Sequence, residues 1–277
     1  MRTKAIKDLV QLDETNFFET IADGIKHILK NASAMLEDAE ILYKQNHQRG
    51  NSVLQALANE EAAKVLILID AVRCPKKLKE NLSKQLSWFN HHLAKGIYSE
   101  ACYWKMESYG ELLEAVESER EKYYLDGPND IDWIFFNRIL GEREETIYVD
   151  YVEIEGNYFW QFPKDSQFLN KPVSCALDLC MSMKELGILT PIGLKEMSNY
   201  WEGIQITEDF HYMKLRELYL DMIYLFVEKG IIQNSEGRHV SCILESWQFP
   251  MYLLDFTLSK EDNTQKLREI QDNWYQE

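Results

Sequence analysis

The chain has 277 residues, of which 45% are hydrophobic and 12% aromatic, and its formal net charge is −16. This composition is typical of a globular protein and excludes collagen-like and intrinsically disordered classes. The acidic balance also argues against attraction of nucleic acid or an anionic membrane to the whole surface. The basic stretch RCPKKLKENLSK, residues 73–84, is nevertheless compatible with a local groove that binds nucleic acid.

Signals for export and for membrane insertion are missing from the sequence. The longest apolar run is VLILI, residues 65–69, and no apolar block follows Met1. A membrane-spanning helix needs about 20 apolar residues. We therefore predict a cytoplasmic protein with no membrane partner.

The cysteines are odd in number, scattered and without a CxxC pair. We predict reduced and mostly buried thiols, with no zinc site. The five residues are Cys74, Cys102, Cys175, Cys180 and Cys242.

The first two predicted elements form a helical hairpin. Apolar residues recur at helical spacing over residues 15–45, and the polar stretch NHQRGNS then interrupts the pattern. Ser52 is a candidate cap for a second helix that runs to about Val72. The short connection favours antiparallel packing.

Three further helices are predicted in the N-terminal half. One lies within residues 76–106, one over 109–125 up to the breaker DGPND, and one over NDIDWIFFNRILGERE, residues 129–144. The buried side of the first of these is marked by Leu82, Leu86, Phe89, Leu93 and Ile97.

The pattern then changes, and helices return after residue 171. Alternating β-branched and aromatic residues over 145–163, with a Gly-Asn pair, predict a β-hairpin or an extended tether. The predicted fold class is mainly α. It comprises a helical bundle over residues 1–145, a hairpin or extended connector over 146–163 and a C-terminal helical region over 164–277.

The common catalytic signatures are missing: the sequence has no GxSxG, P-loop, GxGxxG or HExxH. His91 and His92 are adjacent. Neighbouring side chains on a helix point about 100° apart, so the pair cannot easily serve one metal. We predict no metal and no cofactor.

Two helices carry matched polar clusters in apolar surroundings. Glu60 and Glu61 precede Lys64 by four and three residues, as His91 and His92 precede Lys95. Burial of unpaired charges costs several kcal/mol, so we expect a Glu–Lys–His network between the packed helices.

Two interpretations of this network stay open. It can be architectural, with an ion pair of Glu61 and Lys64 fixing the helix register. It can also be chemical, with a histidine as general acid or base while Lys95, Lys64 or an arginine stabilises negative charge. The second arrangement suits metal-free phosphodiester transfer on RNA, in which the 2′-hydroxyl is the nucleophile, and it suits phosphate or nucleotide binding.

Two arginines follow in the segment DWIFFNRILGEREETIYVD, in which Trp133, Phe136 and Leu140 are predicted to share one helix face. Arg138 and Arg143 can form exposed salt links on this helix. Alternatively, one of them reaches into the bundle towards the acidic pair.

The order and spacing of these segments resemble the AbiV family of abortive infection proteins, which is placed among the HEPN helical domains. The resemblance covers roughly residues 24–155. It rests on the hairpin ending in A-x-EE-x-x-K, the F-x-x-H-x-x-K segment and the DW…RE…YVD ending. It implies a four-to-five-helix bundle, a homodimer and a role in phage defence through RNA or translation.

The resemblance also implies a site, with one departure. Many HEPN proteins are metal-independent endoribonucleases with an R-x(4–6)-H motif at the dimer cleft. No arginine here has that spacing to a histidine, and Lys84 before His91 is the nearest approximation. Lysine lacks the planar fork with which arginine holds phosphate.

The family motifs match Glu60, Glu61 and Lys64, and Phe89, His92 and Lys95. His92 is favoured over His91 because it is predicted to share a helix face with Trp88 and Lys95. The predicted catalytic residues are His92, Lys95, Glu61 and Lys64. The predicted binding residues are Glu60, His91, Arg138 and Arg143.

The leading hypothesis is a phage-defence effector that acts on RNA or on the translation machinery, and metal-independent RNA cleavage is one mechanism by which it could act. The alternative is a non-catalytic interaction module with an architectural network, and a nucleotide sensor is a third possibility. The expected partners are a second copy of the chain, RNA or a ribosome-associated target, and a phage protein.

Overall fold

The computed structural model of the chain describes residues 5–121, 123–126, 133–154, 157–163, 172–233 and 237–259. Within these ranges the protein is mainly α-helical, which confirms the predicted fold class. None of the described helices is long and apolar enough to cross a bilayer.

The helices are, in chain order, α1 (Glu14–Lys44), α2 (Gln48–Arg73), α3 (Lys79–Ser87), α4 (His92–Ala101), α5 (Tyr109–Arg120), α6 (Arg138–Ile147), α7 (Cys175–Glu185), α8 (Pro191–Trp201), α9 (Tyr212–Glu228) and α10 (Gly237–Ser246). Short 3-10 segments lie at Ala5–Gln11 and Trp88–Asn90. The strands form two antiparallel hairpins, in which β1 (Tyr123–Asp126) pairs with β2 (Trp133–Phe136) and β3 (Asp150–Ile154) with β4 (Asn157–Gln161).

The predicted helical hairpin is confirmed as α1 and α2. The Asp13 side chain caps α1 by accepting a hydrogen bond from the Asn16 amide at 3.1 Å. One face of α1 is buried along a helical row that includes Phe18, Ile21 and Ile25. Asn46, with φ 61°, adopts the left-handed conformation that ends the helix.

Helix α2 begins earlier than predicted. His47 precedes it, without a side-chain cap, and Ser52 lies inside the helix instead of at its cap. From Val65 to Arg73 every residue is buried, because α1, α4, α7 and α8 all pack against this helix. This enclosure explains why its faces are too apolar for a surface helix.

The predicted third helix is broken into two. Helix α3 ends at Ser87, the 3-10 turn Trp88–Asn90 follows, and α4 begins at His92. His91 is the N-cap of α4, and its Nδ1 lies 3.5 Å from the Ala94 amide nitrogen. The prediction that Trp88 and His92 share one helix face is therefore wrong.

The predicted helix over residues 129–144 is also corrected. Residues 133–136, WIFF, form strand β2, because β-branched and aromatic residues favour extended pairing over a helix. Asn137 caps α6 at the Leu140 amide (3.1 Å), and its amide group donates to the carbonyls of Glu119 and Glu121. The fourth helix correspondingly ends at Arg120, and the breaker DGPND lies mostly outside the described residues.

The predicted hairpin within residues 145–163 is confirmed as β3 and β4, and helices return beyond residue 171 as predicted. Gly187 lies just after α7 with φ 73°, and a Cβ there would lie 2.8 Å from the Ile231 carbonyl oxygen. Helix α10 was not predicted. The polar stretch of residues 258–277, whose pattern predicts a loosely attached terminal helix, lies almost wholly outside the described residues.

The C-terminal helices share a core with the N-terminal hairpin. Helices α7 and α8 pack on both α1 and α2, and α10 packs on α7. The buried core runs from Phe18 in α1 to Phe256 near the end of the described chain. The polar side chains of α2 are thus enclosed by segments from both halves of the sequence.

All five cysteines are free, and Cys74, Cys102 and Cys180 are buried. Cys175 differs from them because it is half-buried at the first position of α7, and its thiol donates to the Cys102 carbonyl at 3.3 Å. A hydrogen bond with the Cys102 side chain lowers the pKa of the Cys175 thiol to about 6, against the opposing effect of burial, and the Ser246 side chain contributes to the lowering.

We expect Cys175 to react first with iodoacetamide at pH 7, because a thiolate is the reactive species. Cys242 is the other half-buried thiol, and burial raises its pKa. It therefore serves as an internal comparison for Cys175. Mass spectrometry of peptides alkylated at pH 5 to 9 measures both. Equal labelling of the two at pH 7 would refute the expectation.

Candidate functional site

Glu60 is the centre of a charged cluster that joins three helices. From α4, Lys95 donates to Glu60 Oε2, and His92 Nδ1 lies 3.0 Å from the same oxygen. From α6, Arg143 Nε donates to Glu60 Oε1 at 2.6 Å. One carboxylate on α2 therefore holds two cations and an imidazole.

The four side chains differ sharply in exposure. Lys95 is 6% exposed and Glu60 15%, whereas His92 is 48% exposed. The carboxylate and the amine thus lie in the interior of the seam between the helices. The imidazole lies at its edge and is the member of the cluster most open to solvent.

The surroundings keep Glu60 ionised. Burial acts to raise the pKa of this carboxyl, but hydrogen bonds and charge from Lys95, followed by Arg143 and His92, bring it below its usual range. An ionised carboxylate can only accept hydrogen bonds. His92 Nδ1 must therefore be the donor, which leaves Nε2 of the neutral ring with the lone pair.

His92 itself favours the neutral form. Burial lowers the pKa of its imidazole most strongly, and Lys95 lowers it further, whereas Glu60 acts in the opposite direction. At neutral pH the ring is thus positioned as a proton acceptor, with a carboxylate fixing its tautomer. A group that transfers protons near pH 7 has these properties.

Glu61 and Lys64 form a separate pair on α2, beside the cluster. Lys64 donates to Glu61, and its ammonium nitrogen lies 5.5 Å from the centroid of the Phe89 ring. The sequence predicts that Glu61 orients both Lys64 and Lys95, but Glu61 contacts Lys64 and Glu60 contacts Lys95. Neighbouring residues of a helix point about 100° apart, so Glu60 and Glu61 cannot both face α4.

His91 takes a structural position. Besides capping α4, its ring meets the Trp88 ring edge-on, with centroids 5.3 Å apart. Burial lowers the pKa of this imidazole, and the charge of His92 contributes. Its ring nitrogen contacts the α4 backbone and not Glu60.

Arg138 does not join the cluster. It binds Glu100 at 2.7 Å, Glu119 at 2.9 Å and Glu142 at 3.3 Å. Arg143 follows Arg138 by five positions, so the two side chains leave α6 about 140° apart. Arg138 thus forms salt links away from the acidic pair of α2, whereas Arg143 reaches that pair and binds Glu60.

A second polar cluster, around Asp70 and Arg73, is absent from the residues that the sequence pattern predicts. Arg73 pairs with Asp70 and donates to the Tyr219 hydroxyl at 2.9 Å. Its guanidinium carbon lies over the rings of Trp201 and Trp247, 5.3 and 4.5 Å from their centroids. Asp70 also accepts from the Tyr98 hydroxyl at 2.7 Å and from the Met251 amide at 2.8 Å. The i,i+3 spacing of Asp70 and Arg73 in an apolar run was a signal for this ion pair.

This second cluster is architectural. Arg73 is 3% exposed and Asp70 fully buried, and the adjoining cavity of about 20 Å³ has room for about one water molecule. It ties α2 to the C-terminal region. The basic stretch 73–84 therefore begins with a buried arginine, and the next cation, Lys76, pairs with Glu14 at 3.2 Å.

Among the described residues no group of three or more His, Cys, Asp and Glu side chains is arranged to hold a metal ion. The fold around the Glu60 cluster is a mainly α, HEPN-like helical bundle. The family model HEPN_AbiV, described as AbiV, matches residues 20–167, which is more than half of the chain. The chain therefore belongs to the AbiV family.

Membership of this family indicates a role in abortive infection, a defence against phage. The matched residues run from α1 through β4 and include every member of the Glu60 cluster. No curated protein and no solved structure matches the chain significantly.

Proposed function

We propose that the protein is a phage-defence effector that cleaves RNA without a metal ion, with His92 as its proton-transfer group. The observation that supports this most is the contact of His92 Nδ1 with the ionised Glu60, in a ring that is half exposed. A carboxylate that orients an imidazole, with the second ring nitrogen left open, is a recurrent device of acid–base catalysis.

In this proposal His92 Nε2 takes the proton from a ribose 2′-hydroxyl. The 2′-oxygen then forms a bond to phosphorus, and the bond from phosphorus to the 5′-oxygen breaks. The imidazolium returns the proton to the leaving oxygen. The products are a 2′,3′-cyclic phosphate and a 5′-hydroxyl, so the reaction needs no redox partner and no metal.

The cations have different proposed roles. Lys95 is nearly buried and bound to Glu60, so it positions the carboxylate and does not contact the phosphate. Arg143 is 18% exposed and its charge also acts on His92, so we assign it to phosphate stabilisation. Lys64, beside the cluster, adds positive potential.

The direct experiment is incubation of the purified protein with tRNA and with total RNA in the presence of a chelator. We expect discrete fragments under these conditions. RNA that stays intact at all protein concentrations, or cleavage that requires added Mg²⁺, would contradict the proposal.

A second candidate function is favoured by one observation. The Glu60 cluster links α2, α4 and α6, and its two cations, Lys95 and Arg143, are both bound to the central carboxylate. This arrangement also suits a non-catalytic interaction module in which the network is architectural.

Replacement of Lys95 by methionine measures the architectural contribution of the cluster. We expect the free energy of unfolding to fall by about 1–3 kcal/mol, because Glu60 loses one of its partners in a half-closed seam. The control is Lys44→Met, since Lys44 forms an exposed i,i+4 pair with Glu40 at 3.2 Å and should contribute less than about 0.5 kcal/mol. Equal urea denaturation midpoints for the two variants would show that the cluster adds no stability.

The wider organisation is part of the same proposal. Residues 1–145 form the effector bundle, residues 146–163 connect it to residues 164–277, and the C-terminal region takes part in recognition. The effector works as a homodimer in the cytoplasm on RNA or a ribosome-associated target, and a phage protein triggers it.

A further inference from the structure

The hairpin of β3 and β4 presents one face made mainly of aromatic rings. In its register Tyr151 lies opposite Trp160, and Glu153 lies opposite Tyr158. Directly opposed residues of an antiparallel pair project from the same face, and side chains alternate between the faces along each strand. Tyr151, Tyr158 and Trp160 therefore share one face of the hairpin, here called the aromatic face.

The rings of the aromatic face are in mutual contact. The Tyr151 centroid lies 5.0 Å from that of Trp160 and 6.0 Å from that of Tyr158, with the two tyrosine rings nearly parallel. Phe162, directly after the end of β4, is a further exposed ring. The result is a contiguous patch of rings.

This patch is open to solvent. The exposed fractions are 54% for Tyr151, 66% for Tyr158, 63% for Trp160 and 69% for Phe162. Isolated exposed apolar residues need no explanation, but a contiguous patch of large rings marks an interaction site. Tyrosine and tryptophan are also the residues most enriched at binding interfaces.

The charge of the segment defines the chemistry of its partner. Residues 144–163, EETIYVDYVEIEGNYFWQFP, contain five carboxylates and no lysine, arginine or histidine. Single-stranded nucleic acid binds where aromatic rings combine with a positively charged groove. The sequence of this segment lacks the cations of such a groove, and its carboxylates would repel phosphate.

Cations are attracted by the same features. The face of an aromatic ring attracts a positive charge, and arginine in addition stacks its planar guanidinium on the ring. Carboxylates in the same segment can pair with the guanidinium edge. Ring faces and carboxylates together complement an arginine-rich peptide.

We propose that the aromatic face of the β3–β4 hairpin is a docking surface for an arginine-rich segment of a partner protein. A second copy of the chain is a poorer occupant, because residues 150–161 of each copy carry three carboxylates and no cation, and two such hairpins would repel. The proposal does not depend on ribonuclease activity, since neither strand contributes to the Glu60 cluster.

The test uses fluorescein-labelled nona-arginine and the full chain, with fluorescence anisotropy in 150 mM salt. We expect the double variant Tyr158→Ser/Trp160→Ser to bind the peptide about tenfold more weakly. The matched control is Tyr224→Ser, because Tyr224 in α9 is also 66% exposed and lies outside the hairpin. Its affinity should stay within twofold of the wild type.

Two further measurements identify the interaction. Tyr158→Phe/Trp160→Phe keeps the ring faces and should retain binding, whereas labelled nona-lysine should bind the wild type more weakly than nona-arginine. Thermal unfolding checks that the exposed-site variants stay folded. Retained binding by the phenylalanine variant shows that the ring faces, and not the polar groups of Tyr158 and Trp160, hold the peptide.

Three outcomes would overturn the proposal. Equal nona-arginine affinity for the wild type, the double serine variant and the control would show attraction to the acidic surface in general. Poly(U) binding that the double variant abolishes would assign the face to nucleic acid. If the wild type is a dimer in sedimentation velocity and the double serine variant is a monomer with unchanged nona-arginine affinity, the face would be assigned to a second copy.

Discussion

Replacement of His92 by alanine is expected to reduce metal-independent RNA cleavage by about 10²–10⁴-fold, the usual contribution of a positioned acid or base. Glu60, Lys95 and Arg143 stay in place in this variant, so the loss reports on the imidazole. The ring is 48% exposed, and its removal should leave the fold intact. The measurement is the single-turnover cleavage rate, with circular dichroism as the check on folding.

The matched control is His27→Ala. His27 is an exposed histidine on α1 and, like His92, lies near a carboxylate, with Nε2 3.5 Å from Asp23. Its removal should leave cleavage within twofold of the wild type. A folded His92→Ala protein that keeps full cleavage, or full toxicity in cells, would remove the assignment of His92.

The cleavage rate should also depend on pH in a defined direction. A general base must be deprotonated, and the pKa of His92 is lowered from its usual 6.5, first by burial and then by Lys95. We expect activity to be retained at pH 6.5 and to fall only as the pH drops through this lowered value. A wild-type rate that already falls between pH 8 and 7 would be inconsistent with the position of His92.

Arg73→Met is expected to reduce the free energy of unfolding by about 3–5 kcal/mol, the range for breaking a buried ion pair by removal of one partner. Asp70 is fully buried and would lose the guanidinium that compensates its charge. The Tyr219 hydroxyl and the ring faces of Trp201 and Trp247 would lose their partner as well. Urea denaturation at pH 7 measures the change.

Arg49→Met on the same helix is the control, because Arg49 is exposed and should change stability by no more than about 0.5 kcal/mol. Asp70→Leu combined with Arg73→Met should be less destabilising than the sum of the single changes, since no buried charge remains unpaired. Similar stability of the two arginine variants would contradict an architectural role for the buried pair.

The sequence predicted the parts of the fold that repeat with a clear period. The α1–α2 hairpin follows from apolar residues at helical spacing, and the β3–β4 hairpin from alternation around a Gly-Asn pair. The expectation that α2 and α4 meet through matched Glu, His and Lys side chains also came from local spacing. Such features depend on neighbours within a few residues, so they can be predicted without tertiary contacts.

Which member of each adjacent pair, Glu60 or Glu61 and His91 or His92, faces the neighbouring helix could not be predicted from the sequence pattern. Glu61 is the carboxylate predicted to be catalytic, whereas Glu60 is the one that contacts Lys95 and His92, and a rotation of about 100° separates the two. The 3-10 turn at Trp88–Asn90 was not visible in the pattern, since leucine and isoleucine recur at helical spacing on both sides of it. This turn makes His91 a cap and leaves His92 to face Glu60.

The Asp70 cluster was beyond local prediction for another reason. The partners of Arg73 include Tyr219 and Trp247, which are 146 and 174 positions away in the chain. No periodicity links residues at such separation. Only the ion pair itself, at i,i+3, left a trace in the sequence.

The central claim is that His92 and Glu60 direct the attack of a ribose 2′-hydroxyl on its own phosphate. The most direct measurement compares cleavage, with a chelator present, of an RNA oligonucleotide and of the same sequence carrying 2′-O-methyl groups at every position. We predict that the unmodified RNA is cut to fragments with 2′,3′-cyclic phosphate ends and that the methylated RNA stays intact. Equal cutting of both, or cutting of neither, would contradict the account.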